Sequence, residues 1–154
     1  MVVAILFTGT TMAQFPIQKG NMFVNANVSE VELSFSNTTT FNIGAYGGYF
    51  LVDNLALVGG LGFMAQKDFN FFNFAAGVRY YFMETSQGSL FASGLMDIDK
   101  VKDVDATVGL RLNGGYSFFL NQYVALEPVA TLRIPFSDGT DVTFSLGAGI
   151  SVFF

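Results

Sequence analysis

The sequence predicts an all-β fold: one eight-stranded, antiparallel, up-and-down transmembrane β-barrel. Three observations carry this. Apolar and polar residues alternate with a period of two over long stretches, as in Val142 to Phe154, which is the pattern of a strand with two unlike faces. Phrases ending in an aromatic recur at Phe50, Phe82, Phe119 and Phe154, at spacings of 32, 37 and 35 residues. A unit of that length holds one two-stranded hairpin, so four units give eight strands. Finally, the apolar face of every strand lacks charge, while the other face is rich in Gly and Asn rather than Lys and acids.

Composition narrows the function. The 154 residues suit one domain. Apolar residues make up 51% and charged residues 12%, against roughly 25% charged in ordinary soluble domains. A formal charge of −5 without a basic patch argues against nucleic acid. The chain has no Cys and no His. That removes disulfides, thiolate nucleophiles, imidazole bases and most zinc sites. No cofactor, no metal and no enzymatic activity are expected.

Residues 1–13 read as a separate unit. Val2 to Phe7 is an apolar run of signal-peptide type, and Thr11 and Ala13 are small residues placed for cleavage before Gln14. No Lys or Arg precedes the run; a basic start lost upstream would explain that, and a first core strand is the alternative. The barrel domain is then 14–154. Elsewhere there is no apolar run long enough for a transmembrane helix.

The strands follow in order. The first, 20–35, points Met22, Val24, Ala26 and Val28 to one face, then flips parity to Val31, Leu33 and Phe35. A bulge near Ser29, or exit from the membrane, is expected there. The second, 39–51, and third, 55–65, carry their bulk at odd positions, including Tyr49, Leu51, Leu55, Leu57 and Leu61. Facing residues share a face, so Leu51 should lie opposite Leu55 across the loop Val52-Asp53-Asn54. Tyr46 then covers Gly60, a register device of sheets. The fourth strand, 70–82, has Phe72, Phe74, Val78, Tyr80 and Phe82 on the apolar face; the fifth, 89–97, has Leu90, Ala92 and Met96. The sixth, 104–119, has Leu110, Leu112, Tyr116 and Phe118. The seventh, 123–136, has Leu126, Ala130, Leu132 and Ile134. The same parity argument pairs Phe119 with Tyr123. Pro128 cannot donate a ladder hydrogen bond, so a bulge is expected around it. The eighth strand, 141–154, alternates to Phe154.

Soluble sandwiches and lipocalin-like barrels also alternate, but they put a charged face in water. In a membrane barrel the apolar face meets lipid and the polar face packs inward. A closed barrel also satisfies every backbone hydrogen bond in lipid. Aromatics gather where the even strands end: Tyr49-Phe50, Tyr80-Tyr81-Phe82, Tyr116 to Phe119, and Phe153-Phe154. They read as an interfacial girdle at the short-turn side, with Tyr49, Tyr80, Phe82, Tyr116 and Phe118 on the apolar face.

With the alternating VTFSLGAGISVFF and the phrases GGYFLVDNLAL and GVRYYF, the chain resembles the small eight-stranded outer-membrane β-barrels of OmpA/OmpX-like, porin-family type. The resemblance covers residues 20–154. It implies an integral outer-membrane location and contact with outer-membrane lipid. It also implies recognition of the last strand by the barrel-assembly machinery through Ile150, Val152 and Phe154. The expected state is a monomer.

Arg79, Arg111, Glu127 and Arg133 are the charges expected inside the barrel. They read either as a constriction that selects solutes or as a plug, since eight strands enclose just enough space for their own side chains. Interior charges need partners, so at least one arginine should lie close to Glu127, the only acid expected at a strand centre. The run DIDKVKDVD, Asp97 to Asp105, reads as a solvated outer loop, because its lysines and lack of Gly do not suit a calcium loop. Outer loops near 36–38, 66–69, 98–103 and 137–141 are short. The function expected is structural or interaction-based, with a side-chain-filled lumen. A narrow porin-like channel is the alternative, because the many interior glycines leave gaps. A soluble lipocalin-like carrier and an outer-membrane enzyme rank below these.

Overall fold

The computed structural model describes residues 15–32, 41–66, 69–101 and 105–154. They form β1 (Met22–Glu32), β2 (Phe41–Val52), β3 (Leu55–Gln66), β4 (Phe69–Glu84), β5 (Gly88–Val101), β6 (Thr107–Phe119), β7 (Val124–Pro135) and β8 (Thr143–Phe153). Each strand pairs antiparallel with the next, and β1 pairs with β8, so the sheet closes into a barrel. The leader expected over residues 1–13 and the turn near 36–38 lie outside the described residues.

Parity sets the wall. Tyr49, Leu57, Leu61, Phe72, Phe74, Val78, Met96, Leu112, Phe144, Leu146 and Val152 are all exposed on the outside. Their chain neighbours point inward and form the core. Among the described strands the one charge on the outer face is Lys100, opposite Phe72 near the loop-side end of β5; Glu84, opposite the buried Ser89, has inward parity at the turn-side end of β4. The rest of the outer face is uncharged, as lipid contact requires.

Register explains the closure. Phe23 pairs with Phe153 and Ala26 with Ile150, then the register shifts between Asn27 and Ser29. That is the bulge expected near Ser29, and it brings Val31 opposite Leu146. Tyr46 faces Gly60 as expected, and a Cβ there would stand 2.3 Å from the tyrosine ring. The β2–β3 turn corrects the expected pairing: Val52, not Leu51, lies opposite Leu55, because the register shifts between Phe50 and Val52 and Leu51 is the extra residue. The loop is therefore the two residues Asp53 and Asn54, and Asn54 adopts a left-handed φ of 68°.

Three further expectations are corrected. The fifth strand does not stop at residue 97 but runs to Val101, so Asp97 and Asp99 belong to the wall and not to an outer loop. Ile98 lies opposite Phe74 and Val108, and that outward apolar packing holds the strand together beyond Asp97. Phe119 pairs with Ala125, not Tyr123. The side chain of Asn121 accepts from the backbone N–H groups of Tyr123 and Val124, at 2.8 and 2.9 Å. This Asx turn moves the loop one residue along, to 121–123. Pro128 causes no bulge: β7 keeps one continuous register with β8 through it. Its missing donor instead leaves a gap in the β6–β7 ladder between Gly115↔Val129 and Phe118↔Leu126, with the same register on both sides.

Candidate functional site

The lumen is where the structure concentrates chemistry. Two polar layers lie inside it, one above the other. The layer nearer the turns is built on Glu127, which is 1% exposed. Its Oε2 accepts from Arg79 at 3.0 Å and from Asn25 at 3.0 Å, and its Oε1 accepts from Ser117 at 2.6 Å. Asn25 also donates to Ser151 at 2.8 Å. The Arg79 guanidinium lies 4.1 Å from the ring centre of Phe91 and 5.0 Å from that of Phe23. A cation held between two aromatic faces and a carboxylate loses less on leaving water than an isolated one. The arginine contact anticipated for Glu127 is the one made by Arg79.

The layer nearer the loops joins Arg111, Arg133, Asp97 and Asp99. Asp97, 0% exposed, accepts through Oδ2 from Arg111 Nε at 2.9 Å and from Arg133 Nε at 3.1 Å. Arg133 also reaches Asp99 at 2.8 Å. Asn73 bridges the group: its amide donates to Asp99 at 2.6 Å and its carbonyl accepts from Arg111 at 3.0 Å. Arg111 also donates to the Tyr46 hydroxyl. Among the described residues the two layers hold three arginines and three carboxylates in contact, so the charges within these two layers balance.

Asp97 and Asp99 are the site residues that sequence reasoning missed. A signal existed: in Asp97-Ile98-Asp99-Lys100 the period of two continues, acids inward and Ile98 and Lys100 outward. The density of charge masked it.

The turn-side end is closed by rings. Phe23, Phe50, Tyr81, Phe91 and Phe153 are buried together. Their centroids stand 5.4–5.8 Å apart in the chain Phe153–Phe23–Phe50–Tyr81–Phe91. The expectation of one girdle is therefore corrected. In each aromatic cluster the parity alternates, so Phe50, Tyr81 and Phe153 point inward as a floor, while Tyr49, Tyr80, Phe82 and Phe154 point outward. Tyr116 and Phe118 are half-buried on the outer face; the Tyr116 hydroxyl lies 2.6 Å from that of Thr85. Ile150 and Val152 are exposed along β8, and Phe154 stands just past it, exchanging backbone hydrogen bonds with Met22.

The segment before β1 reinforces the floor from below. Ile17 is buried in the aromatic cluster, and Phe15 stacks on Phe119 with centroids 4.6 Å apart. The Ile17 carbonyl accepts from Asn54 N at 3.0 Å, and the Asp53 carboxylate accepts from Lys19 N at 2.8 Å. Residues 15–21 thus form a strap across the turn-side mouth. Nothing in the sequence pattern marks it, because it has no period.

Rings pack against two of the interior glycines. A Cβ at Gly48 would stand 2.1 Å from the Phe23 ring and one at Gly115 would stand 2.5 Å from the Phe91 ring. The space these glycines release is occupied by rings. A cavity of about 20 Å³ lies between the two polar layers. Arg79, Ser93, Asn113 and Tyr46 are among its lining residues.

No protein-family model and no curated protein matches the chain. Solved structures do. The N-terminal β-barrel domain of Pseudomonas aeruginosa OprF superposes with a TM-score of 0.70 at 12% identity, covering 88% of this chain and 98% of that one. Neisserial surface protein A gives 0.65 at 15% identity, covering 87% and 96%. Ail, the attachment invasion locus protein of Yersinia pestis, gives 0.58 at 12% identity, covering 88% and 100%. At such identities the likeness speaks to architecture alone: the chain has the fold of the small eight-stranded outer-membrane β-barrels.

Proposed function

We propose that the protein is an integral outer-membrane β-barrel with a structural or interaction role and a lumen filled by its own side chains. The observation that supports this most directly is the pairing of the interior charges above a closed aromatic floor. A selectivity filter works with unpaired charge or dipoles facing a passage. Here the arginines are spent on carboxylates of the same lumen. The outer face of the described strands, uncharged from the turn side up to Lys100, supports contact with outer-membrane lipid. In this reading the chain acts as a monomer. Ile150, Val152 and Phe154, exposed along the last strand, offer the surface read by the barrel-assembly machinery. No catalytic residue is assigned.

A narrow channel is the competing reading, favoured by the cavity between the layers. Single-channel recording in a planar bilayer separates the two, with insertion checked by the mobility difference between boiled and unboiled samples on a gel. The filled lumen predicts an inserted but silent barrel. Steady conductance that changes in Arg111→Ala or Glu127→Gln would replace this reading with a pore.

A further inference from the structure

We propose that the mid-lumen cavity is a water-binding site that exchanges with the loop-side mouth only. Three buried polar atoms without a hydrogen-bond partner among the described residues belong to residues lining this one cavity: Arg79 Nε, Ser93 Oγ and Asn113 Oδ1. Arg79 and Ser93 are both more than nine-tenths buried. The three differ in kind. The Arg79 N–H can only donate, the Asn113 carbonyl can only accept, and the Ser93 hydroxyl can do both. Water, with two donors and two acceptors, matches that set.

Other occupants fit less well. An apolar molecule would leave all three groups unpaired in a place where water is excluded. A cation would meet the Arg79 guanidinium, and an anion would meet the Glu127 carboxylate, both of which line the same cavity. A larger neutral solute exceeds the space: about 20 Å³ is a little above the roughly 10–15 Å³ that one water needs. Bound there, water joins Arg79 of the turn-side layer to Ser93 and Asn113 on the neighbouring strands.

The two ends of the lumen differ in kind. Toward the loops the ceiling is polar, and Arg133 and Asp99 are 23% and 24% exposed at its rim. Toward the turns lie the interlocked rings of Phe23, Phe50, Tyr81, Phe91 and Phe153, with Ile17 of the strap behind them. The chamber is therefore a dead end.

The test uses the folded chain in lipid nanodiscs. Magnetisation transfer from water to the Arg79 Nε–H is measured by NMR. Transfer is expected in the native chain and is expected to vanish in Ser93→Leu, which fills the cavity, while the gel-mobility signature of the folded barrel is kept. Asn113→Leu serves if Ser93→Leu does not fold. A folded native barrel with no transfer, or a folded, filled variant that retains it, overturns the site. The dead end is read separately, from osmotic shrinkage of vesicles carrying the native barrel. Their water permeability should equal that of protein-free vesicles, and an increase overturns the one-sided access.

Discussion

Glu127 gathers Arg79, Asn25 and Ser117 on one carboxylate. Removing it strands a guanidinium that is only 7% exposed. Breaking a buried pair from one side costs about 3–5 kcal/mol, whereas replacing both partners by apolar groups costs far less. Glu127→Ala should therefore lower the unfolding free energy by about 3–5 kcal/mol, and the double variant Arg79→Met/Glu127→Leu should recover part of that loss. Urea titration of the refolded chain in lipid, followed by gel mobility, measures both. A single-variant cost below about 1 kcal/mol would place the pair with surface ion pairs and remove the plug from the account. Asp97 and Asp99 offer an internal control. Asp97, fully enclosed between two arginines, should be far more costly to change to Asn than Asp99, which is about a quarter exposed. Glu127 was legible in the sequence because it sits alone among apolar and small residues. Asp97 was not, because a strand end crowded with charge looks like a loop until its alternation is followed.

Among the strands, packing between neighbours decides which glycines are needed. Gly77 in β4 lies where a Cβ would come 2.0 Å from the carbonyl oxygen of Gly94 in β5, and backbone cannot move aside as a flexible side chain can. Gly59 in β3 faces outward, and its Cβ would meet only the Ala75 carbonyl at 3.8 Å, an ordinary contact. Gly77→Ala should therefore weaken the β4–β5 ladder and slow or abolish refolding, while Gly59→Ala should fold like the native chain. A kinetic refolding assay on gels reads the difference, and equal behaviour would mean that the β4–β5 approach is looser than its register implies. Strand existence and facing were legible because a period of two survives any local detail. The ends were not. The β6–β7 turn depends on the side chain of Asn121 capturing two backbone N–H groups, and the strap of residues 15–21 depends on which rings lie inside. The first is a local choice among several possible turns, which strand periodicity does not mark, and the second is set by tertiary contacts. The doubled aromatics illustrate the limit well: Tyr49 and Phe50 are adjacent and chemically alike, yet one faces out and the other closes the floor.

The whole molecule turns a membrane problem inside out. Its arginines meet carboxylates around the axis, and its apolar side chains stand on the outside, where a soluble protein of this size would carry charge. That arrangement predicts a depth-dependent cost for a charge on the wall. Leu61, in the middle of β3 and 66% exposed, is central in the apolar band, and Leu61→Arg should cost about 2–4 kcal/mol in a bilayer. Val52, exposed at the β2–β3 turn, stands at the edge, and Val52→Arg should cost about 0–1 kcal/mol. Unfolding titrations in lipid vesicles measure both variants against the native chain. The comparison also separates the membrane barrel from a soluble carrier of the same topology. In water an exposed leucine is as easily replaced at mid-strand as at a turn, so a flat profile, or a Leu61→Arg chain that is monomeric without detergent, would mean that the apolar wall does not face lipid. A steep profile that follows height along the barrel would mean that it does, because nothing in the packing of the wall itself distinguishes the two exposed positions.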